Sequence, residues 1–422
     1  MRRPEILLGP TTKGFVLDEP LTAAAYVAQG HTLFDGSLGR PVMTLDRAAL
    51  DHDVATLARF ATDHGLELAP HGKTTMSPEL WARQLDAGAW GITVATPHQA
   101  RTAHALGVRR LLVANEVVDP VALRWAATAA ADPDAEVLLY VDSVAGVQAV
   151  EAALAGTDAG PVTVLLEVGH AAGRTGVRTP EDAVAVAERA VASDAVRLVG
   201  VSGYEGGLPD DARVRSFLAG LRDTAHDLAD RALLPPDGIV LSAGGSAWFD
   251  VVADVLGRDP DGTGPLPGYG TRTLLRSGSY VTHDHGTYAR RTPYTRVAGH
   301  LLPAIRVWAQ VLSTPEPGLA LLDAGKRDVP YDEGLPVPLR RHRPGADAVD
   351  VRGWTLTRTN DQHAYLDHDP PHDPDAEDPT DLAVGDVVEL GVSHPCTAFD
   401  KWRAVPVLDA DLRVVDVVST WF

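Results

Sequence analysis

The sequence predicts an α/β fold, a (β/α)8 barrel followed by a smaller β-rich domain, on three observations. Apolar, β-prone runs alternate with helical patterns; eight such units follow residue 66; and beyond about residue 285 the helical periodicity stops. The eight runs are LELAPHGK (66–73), GITVAT (91–96), RLLVAN (110–115), EVLLYVDS (136–143), VTVLLEVG (162–169), RLVGVSGY (197–204), GIVLSAGGS (238–246) and TRTLLRSGSY (271–280). They are continuously apolar rather than alternating, as strands are when a parallel sheet is buried on both faces. Each except the last is followed by an Ala-rich or charged amphipathic stretch, such as PEDAVAVAERAVAS, with the spacing of a helix that covers a sheet. An open doubly wound sheet is the alternative.

Past the barrel, YTRVAGHLLPAIRVWAQVLST, GLALLDAG, VDVRGWTLTRT and LAVGDVVELGV are strand-like runs separated by turn residues. The expected organisation is an N-terminal segment (1–40) packing on the β-domain, a barrel (41–284) and a C-terminal β-domain (285–422). The Pro- and Asp-rich DHDPPHDPDAEDPTD (367–381) reads as a solvated loop, and so does THDHG (282–286).

The 422 residues are 45% hydrophobic, enough for one large domain and a smaller one. A formal charge of −20 and the lack of a basic face argue against nucleic acid as a partner. No apolar run approaches the roughly 20 residues of a membrane span, and MRRPEILLGP is too short for a secretory signal, so a cytoplasmic protein is expected. The single cysteine, Cys396, leaves no internal disulfide.

In such a barrel, chemistry gathers at the C-terminal ends of the strands, and Lys73 ends the first. Partial desolvation there favours the neutral amine that a Schiff-base nucleophile needs; snorkelling to solvent or pairing with a carboxylate is the alternative. LSAGGSAWF (241–249) places a Gly-rich turn after a buried strand, where backbone N–H groups converge on a phosphate and Ser246 adds a hydroxyl. Two further strand ends carry Arg174 and Tyr204, which would otherwise serve a surface ion pair and the core. A lysine, a phosphate cup and a flat side chain on one rim together describe a pyridoxal phosphate site. In VSHPCTAFDKW (392–402), His394 and Cys396 fall on one face of an extended backbone, where imidazole and thiolate would share a zinc ion, unless the cysteine is simply buried near an unrelated histidine. Asp361 and His363, in RTNDQHAYL (358–366), stand as supporting partners or as loop polar groups.

PHGKT (70–74), GRTGV (173–177), SAGGS (242–246), LRSGSYVTHD (275–284), NDQH (360–363) and HPCTAFDKW (394–402), in this order, resemble the D-serine dehydratase and D-threonine aldolase group. These are relatives of alanine racemase among the fold type III pyridoxal enzymes. The resemblance, from about residue 40 to the C-terminus, implies a cofactor barrel, a metal-bearing β-domain and a homodimer. It implies Lys73 as the Schiff-base lysine and His394 with Cys396 as metal ligands. By the same matching, Ser242, Gly244, Gly245 and Ser246 hold the phosphate, assisted by Tyr280, and PVMTLD (41–46) precedes the barrel proper. The aldolases tend to carry His-x-Asp and the dehydratases His-x-Cys, so Cys396 points to elimination of D-serine or a related D-β-hydroxy amino acid, giving a 2-oxo acid and ammonia. The metal expected is Zn2+, with Mn2+ or Mg2+ as alternatives. A D-threonine aldolase, giving glycine and an aldehyde, is the alternative reaction. A metal-free racemase and a non-catalytic cofactor carrier are rivals of other classes.

Overall fold

The computed structural model describes residues 1, 3–258, 262–368 and 381–422. Eight parallel strands form one sheet in chain order: Glu67–Leu68, Ile92–Val94, Arg110–Glu116, Glu136–Val141, Val162–Val168, Val196–Gly203, Ile239–Ala243 and Thr271–Leu275. The last pairs with the first through Leu274 and Glu67, and a parallel bridge from His71 to Thr93 joins the first to the second, closing the ring. Ala69, Leu112, Leu138, Leu165, Val240 and Leu274 pack against one another in a buried cluster, so the barrel is a core and not a pore. The covering helices start on local signals. Thr96, Asp119 and Thr179 each accept from the N–H three residues on, and each precedes a proline, whose missing N–H costs nothing at a first helical position.

The β-domain centres on the strand Ile305–Glu316, paired antiparallel with Val387–Gly391 and Leu319–Leu322. Here the expected boundary at residue 41 is corrected. Val42–Asp46 pairs antiparallel with Ile305–Trp308 and parallel with Val407–Leu408, so it belongs to this second sheet, and the barrel strands begin at Glu67. Leu8, Phe15, Tyr26 and Leu33 of the N-terminal segment share a buried cluster with Trp308, Val387 and Val414 of the β-domain.

THDHG is not a solvated loop. Asp284 is fully buried, its carboxylate accepting from the N–H groups of Gly286, Tyr288 and Ala289, and burial lowers His283 and His285 to about 4. Of the Pro- and Asp-rich stretch, residues 369–380 lie outside the described residues. Among the described residues, no helix is long and apolar enough to cross a membrane.

Candidate active site

The first strand runs into a short helical turn, Gly72–Thr74, that carries Lys73. The turn requires its glycine: a Cβ on residue 72 would lie 2.6 Å from both Ile92 Cγ2 and Trp81 Nε1. Lys73 thereby faces a cavity of about 340 Å3 at the C-terminal mouth of the barrel. Burial, then the charges of Arg174 and Arg276, lower its pKa, against an opposing pull from Cys396. The neutral amine is thereby easier to reach than in a solvated lysine.

The cations around this cavity are Lys73, Arg174 and Arg276. Arg174 lies over the Tyr204 ring, 4.1 Å from its centroid. Arg276 is 4% exposed and donates to Ser202 Oγ, Ser242 Oγ and the Gly203 carbonyl. The seventh and eighth strands end in the turns that bring Gly244, Gly245, Ser246, Gly278 and Ser279 to the wall. Gly244 sits at φ +98°, and a Cβ there would lie 2.2 Å from Leu275 Cδ1. The buried Nδ1 of His71 and Oε2 of Glu167 have no hydrogen-bond partner among the described residues. A cation surplus, glycine turns with close backbone and unpartnered polar atoms fit a phosphorylated ligand such as pyridoxal phosphate.

Cys396 comes from the β-domain yet reaches the same mouth, its Sγ lying 3.6 Å from Thr74 Oγ1 and 3.7 Å from Ser279 Oγ. His394 is 7% exposed, and its Nδ1 meets Asp332 Oδ2 at 2.8 Å. Burial opposes charge on both, but the attraction between the two neighbours, with help from Asp332, raises His394 to about 9 and lowers Cys396. Imidazole beside thiol, with a carboxylate on the far ring nitrogen, is the donor chemistry of a transition-metal site. Among the described residues no cluster of three or more such ligands exists, so the protein would contribute two.

Glu167 is 7% exposed at the end of the fifth strand and lines the cavity beside Glu116. Burial, then the neighbouring carboxylates of Glu167 and Asp142, push Glu116 up to about 8. The folded state therefore holds a proton that the unfolded chain releases near its ordinary value of 4.5, and stability falls as pH rises between there and about 8. Glu116→Gln should raise Tm by about 2–4 °C at pH 9 and little at pH 5, measured by calorimetry. An equal shift at both pH values would refute the proton assigned to Glu116.

Residues 45–250 match the family described as "Alanine racemase, N-terminal domain", and residues 304–408 the one described as "Putative serine dehydratase domain". The chain thus carries an alanine racemase-type barrel followed by a serine dehydratase-type β-domain. Like its relatives it is a lyase. It is 27% identical to a D-threonine aldolase of Arthrobacter sp over 85% of this chain and 86% of that one. It is also 27% identical to a D-threo-3-hydroxyaspartate dehydratase of Delftia sp. (strain HT23), over 91% and 97%. A crystal structure of D-threonine aldolase from Filomicrobium marinum superposes with a TM-score of 0.75 at 23% identity, covering 93% and 97%. Solved forms of D-threo-3-hydroxyaspartate dehydratase include a histidine-to-alanine variant and a variant with a cysteine two positions later replaced, the latter metal-free.

In this lyase Lys73, Arg174, Tyr204, Gly244, Gly245, Ser246 and Cys396 converge on one cavity. Other expected residues lie elsewhere. Tyr280 is 2% exposed and accepts from Gln84 Nε2 at 3.0 Å, turned into the core and away from the phosphate turns. Ser242 points inward, donating to the Leu274 carbonyl. Asp361 and His363 are exposed, and Asp361 pairs with Arg327 at 3.5 Å; the carboxylate on His394 is Asp332. Sequence reasoning missed Arg276, although a charge directly after a buried strand was the signal that singled out Lys73. It also missed Tyr288, which lines the cavity.

Proposed function

We propose that this enzyme catalyses pyridoxal phosphate- and zinc-dependent β-elimination of D-serine or a related D-β-hydroxy amino acid, giving a 2-oxo acid and ammonia. The observation that carries the reading is the placement of Cys396 at the wall of the Lys73 cavity, two residues from a His394 whose Nδ1 is held by Asp332. A thiolate with an imidazole is a soft donor set that favours zinc over manganese or magnesium. The histidine and cysteine two positions apart in a related dehydratase support the same assignment.

Lys73 is the residue for covalent attachment of the cofactor, with Arg174 and the turn bearing Ser246 opposing its anionic groups. The cofactor's chemistry is that of an electron sink, which makes the substrate Cα–H acidic. Lys73 Nζ, its pKa lowered by burial, takes that proton as a free amine. A metal ion held by His394 and Cys396 would supply Lewis-acid weakening of the Cβ–O bond. Tyr288, raised by burial, stays protonated beside Cys396 and can donate to the departing oxygen. Loss of the Cα proton with the Cβ hydroxide is net loss of water, and hydrolysis of the released enamine gives the oxo acid and ammonia.

The D-threonine aldolase relative favours a second reading, cleavage of Cα–Cβ. Products separate the two. From D-threonine, elimination gives 2-oxobutyrate and ammonia, whereas cleavage gives glycine and acetaldehyde. The proposal expects pyruvate and ammonia from D-serine. Glycine and acetaldehyde as the main products from D-threonine, without ammonia from D-serine, would replace it with the aldolase reading.

A further inference from the structure

Glu205 follows Tyr204 in the loop after the sixth strand and is fully buried. Its Oε2 accepts from Gly244 N–H at 3.1 Å and its Oε1 from Gly245 N–H at 2.6 Å. The Ser277 hydroxyl lies 3.3 Å from the Gly244 carbonyl and 3.1 Å from the Gly245 carbonyl. The glycine turn is thus held on both sides, by one carboxylate on its two N–H groups and one hydroxyl on its two carbonyls. Two successive N–H groups converging on one anion form a nest, and here the anion is the protein's own.

The two amides that the sequence nominates as phosphate donors are therefore already committed. The donors on the same wall that face the cavity are Ser246 and the Gly278–Ser279 turn, and Ser279 N–H lies 3.3 Å from Ser246 Oγ. Tyr204, one residue before Glu205, stacks on Arg174. Consecutive side chains of one loop thus fix both the glycine turn and the cation across the cavity.

We propose that Glu205 is a positioning residue for the cofactor's phosphate: by clamping Gly244 and Gly245 it fixes Ser246 against the Gly278–Ser279 turn, and that pair, not the glycine nest, seats the phosphate. The proposal rests on the reading that this cavity takes pyridoxal phosphate. It opposes a competing arrangement in which the glycine nest is the phosphate seat and Glu205 is displaced. The two differ in sign. Removing a carboxylate that competes for the nest, and that repels a dianion, strengthens phosphate binding; removing a clamp weakens it.

The test is the dissociation constant of the full-length protein for pyridoxal phosphate and for pyridoxal, which lacks the phosphate, followed by absorbance. In Glu205→Gln one of the two acceptors becomes an NH2 facing a backbone N–H, so the clamp opens without loss of volume. The expected result is about tenfold weaker binding of pyridoxal phosphate with pyridoxal affinity unchanged, because the loss is confined to the phosphate. Ser277→Ala, which frees the carbonyl side, should act in the same direction with a smaller effect. Tighter or unchanged binding of pyridoxal phosphate in Glu205→Gln would overturn the proposal, and so would equal weakening of both ligands. Wild-type protein that binds neither ligand would instead refute the cofactor reading, a distinct failure.

Discussion

Replacing Lys73 by alanine should lower kcat by at least about 10^3-fold, since both covalent attachment of the cofactor and proton transfer at Cα depend on its amine. The fold should survive. The Lys73 amine has no hydrogen-bond or ion-pair partner among the described residues, so its removal breaks no polar contact and Tm should stay within about 2 °C. Lys73→Arg decides which property matters. If Lys73 served as a fixed cation opposite phosphate, arginine would keep most of the activity. If it serves as an amine held toward neutrality by burial and by Arg174 and Arg276, a guanidinium that never loses its proton must fail as completely as alanine. Borohydride treatment of wild-type enzyme, followed by peptide mapping, should find the cofactor fixed on Lys73. A label on another lysine, or an active Lys73→Arg variant, would refute the assignment.

The barrel was legible because parallel strands buried on both faces must be apolar throughout, and eight such runs stand in the sequence. PVMTLD carries the same apolar signature, but that signature records burial and not partnership. Only the pairing of Val42–Asp46 with Ile305–Trp308 shows which sheet it joins. Lys73 and Cys396 could be singled out because each is chemically conspicuous where it stands. Asp332 and Glu205 could not, since an acid in a loop looks alike in sequence whether it faces solvent, an imidazole or a pair of glycine amides. Tyr280 was misplaced for a geometric reason. The turn Ser279–Val281 directs successive side chains to different sides, so Ser279 reaches the cavity while Tyr280 enters the core. THDHG misled through composition, because three backbone N–H groups satisfy Asp284 without water.

The metal half of the mechanism has an equally large expected effect. His394→Ala should remove one of two protein ligands, and a site with two has little affinity to lose. Bound zinc should fall from one ion per chain to near none, measured by elemental analysis, and kcat for elimination should fall by about 10^2–10^4-fold. The cofactor's visible band should persist, because His394 lies on the β-domain side and holds neither Lys73 nor the phosphate turns. Chelation of the wild-type enzyme should reproduce that state, with zinc restoring activity to the wild type and not to the variant. Asp332→Asn grades the effect. It keeps the size of the group on Nδ1 but loses its charge, so zinc affinity should drop about 10–100-fold while high zinc restores the rate. Cys396→Asp replaces a soft donor with a hard one and should shift the best metal from zinc toward manganese. Full elimination activity in metal-free enzyme would refute the role given to the pair. His394 and Cys396 would then remain an imidazole held by Asp332 and a thiol beside Thr74 and Ser279 at the Lys73 cavity, and Tyr288 would be the remaining donor to the departing hydroxyl.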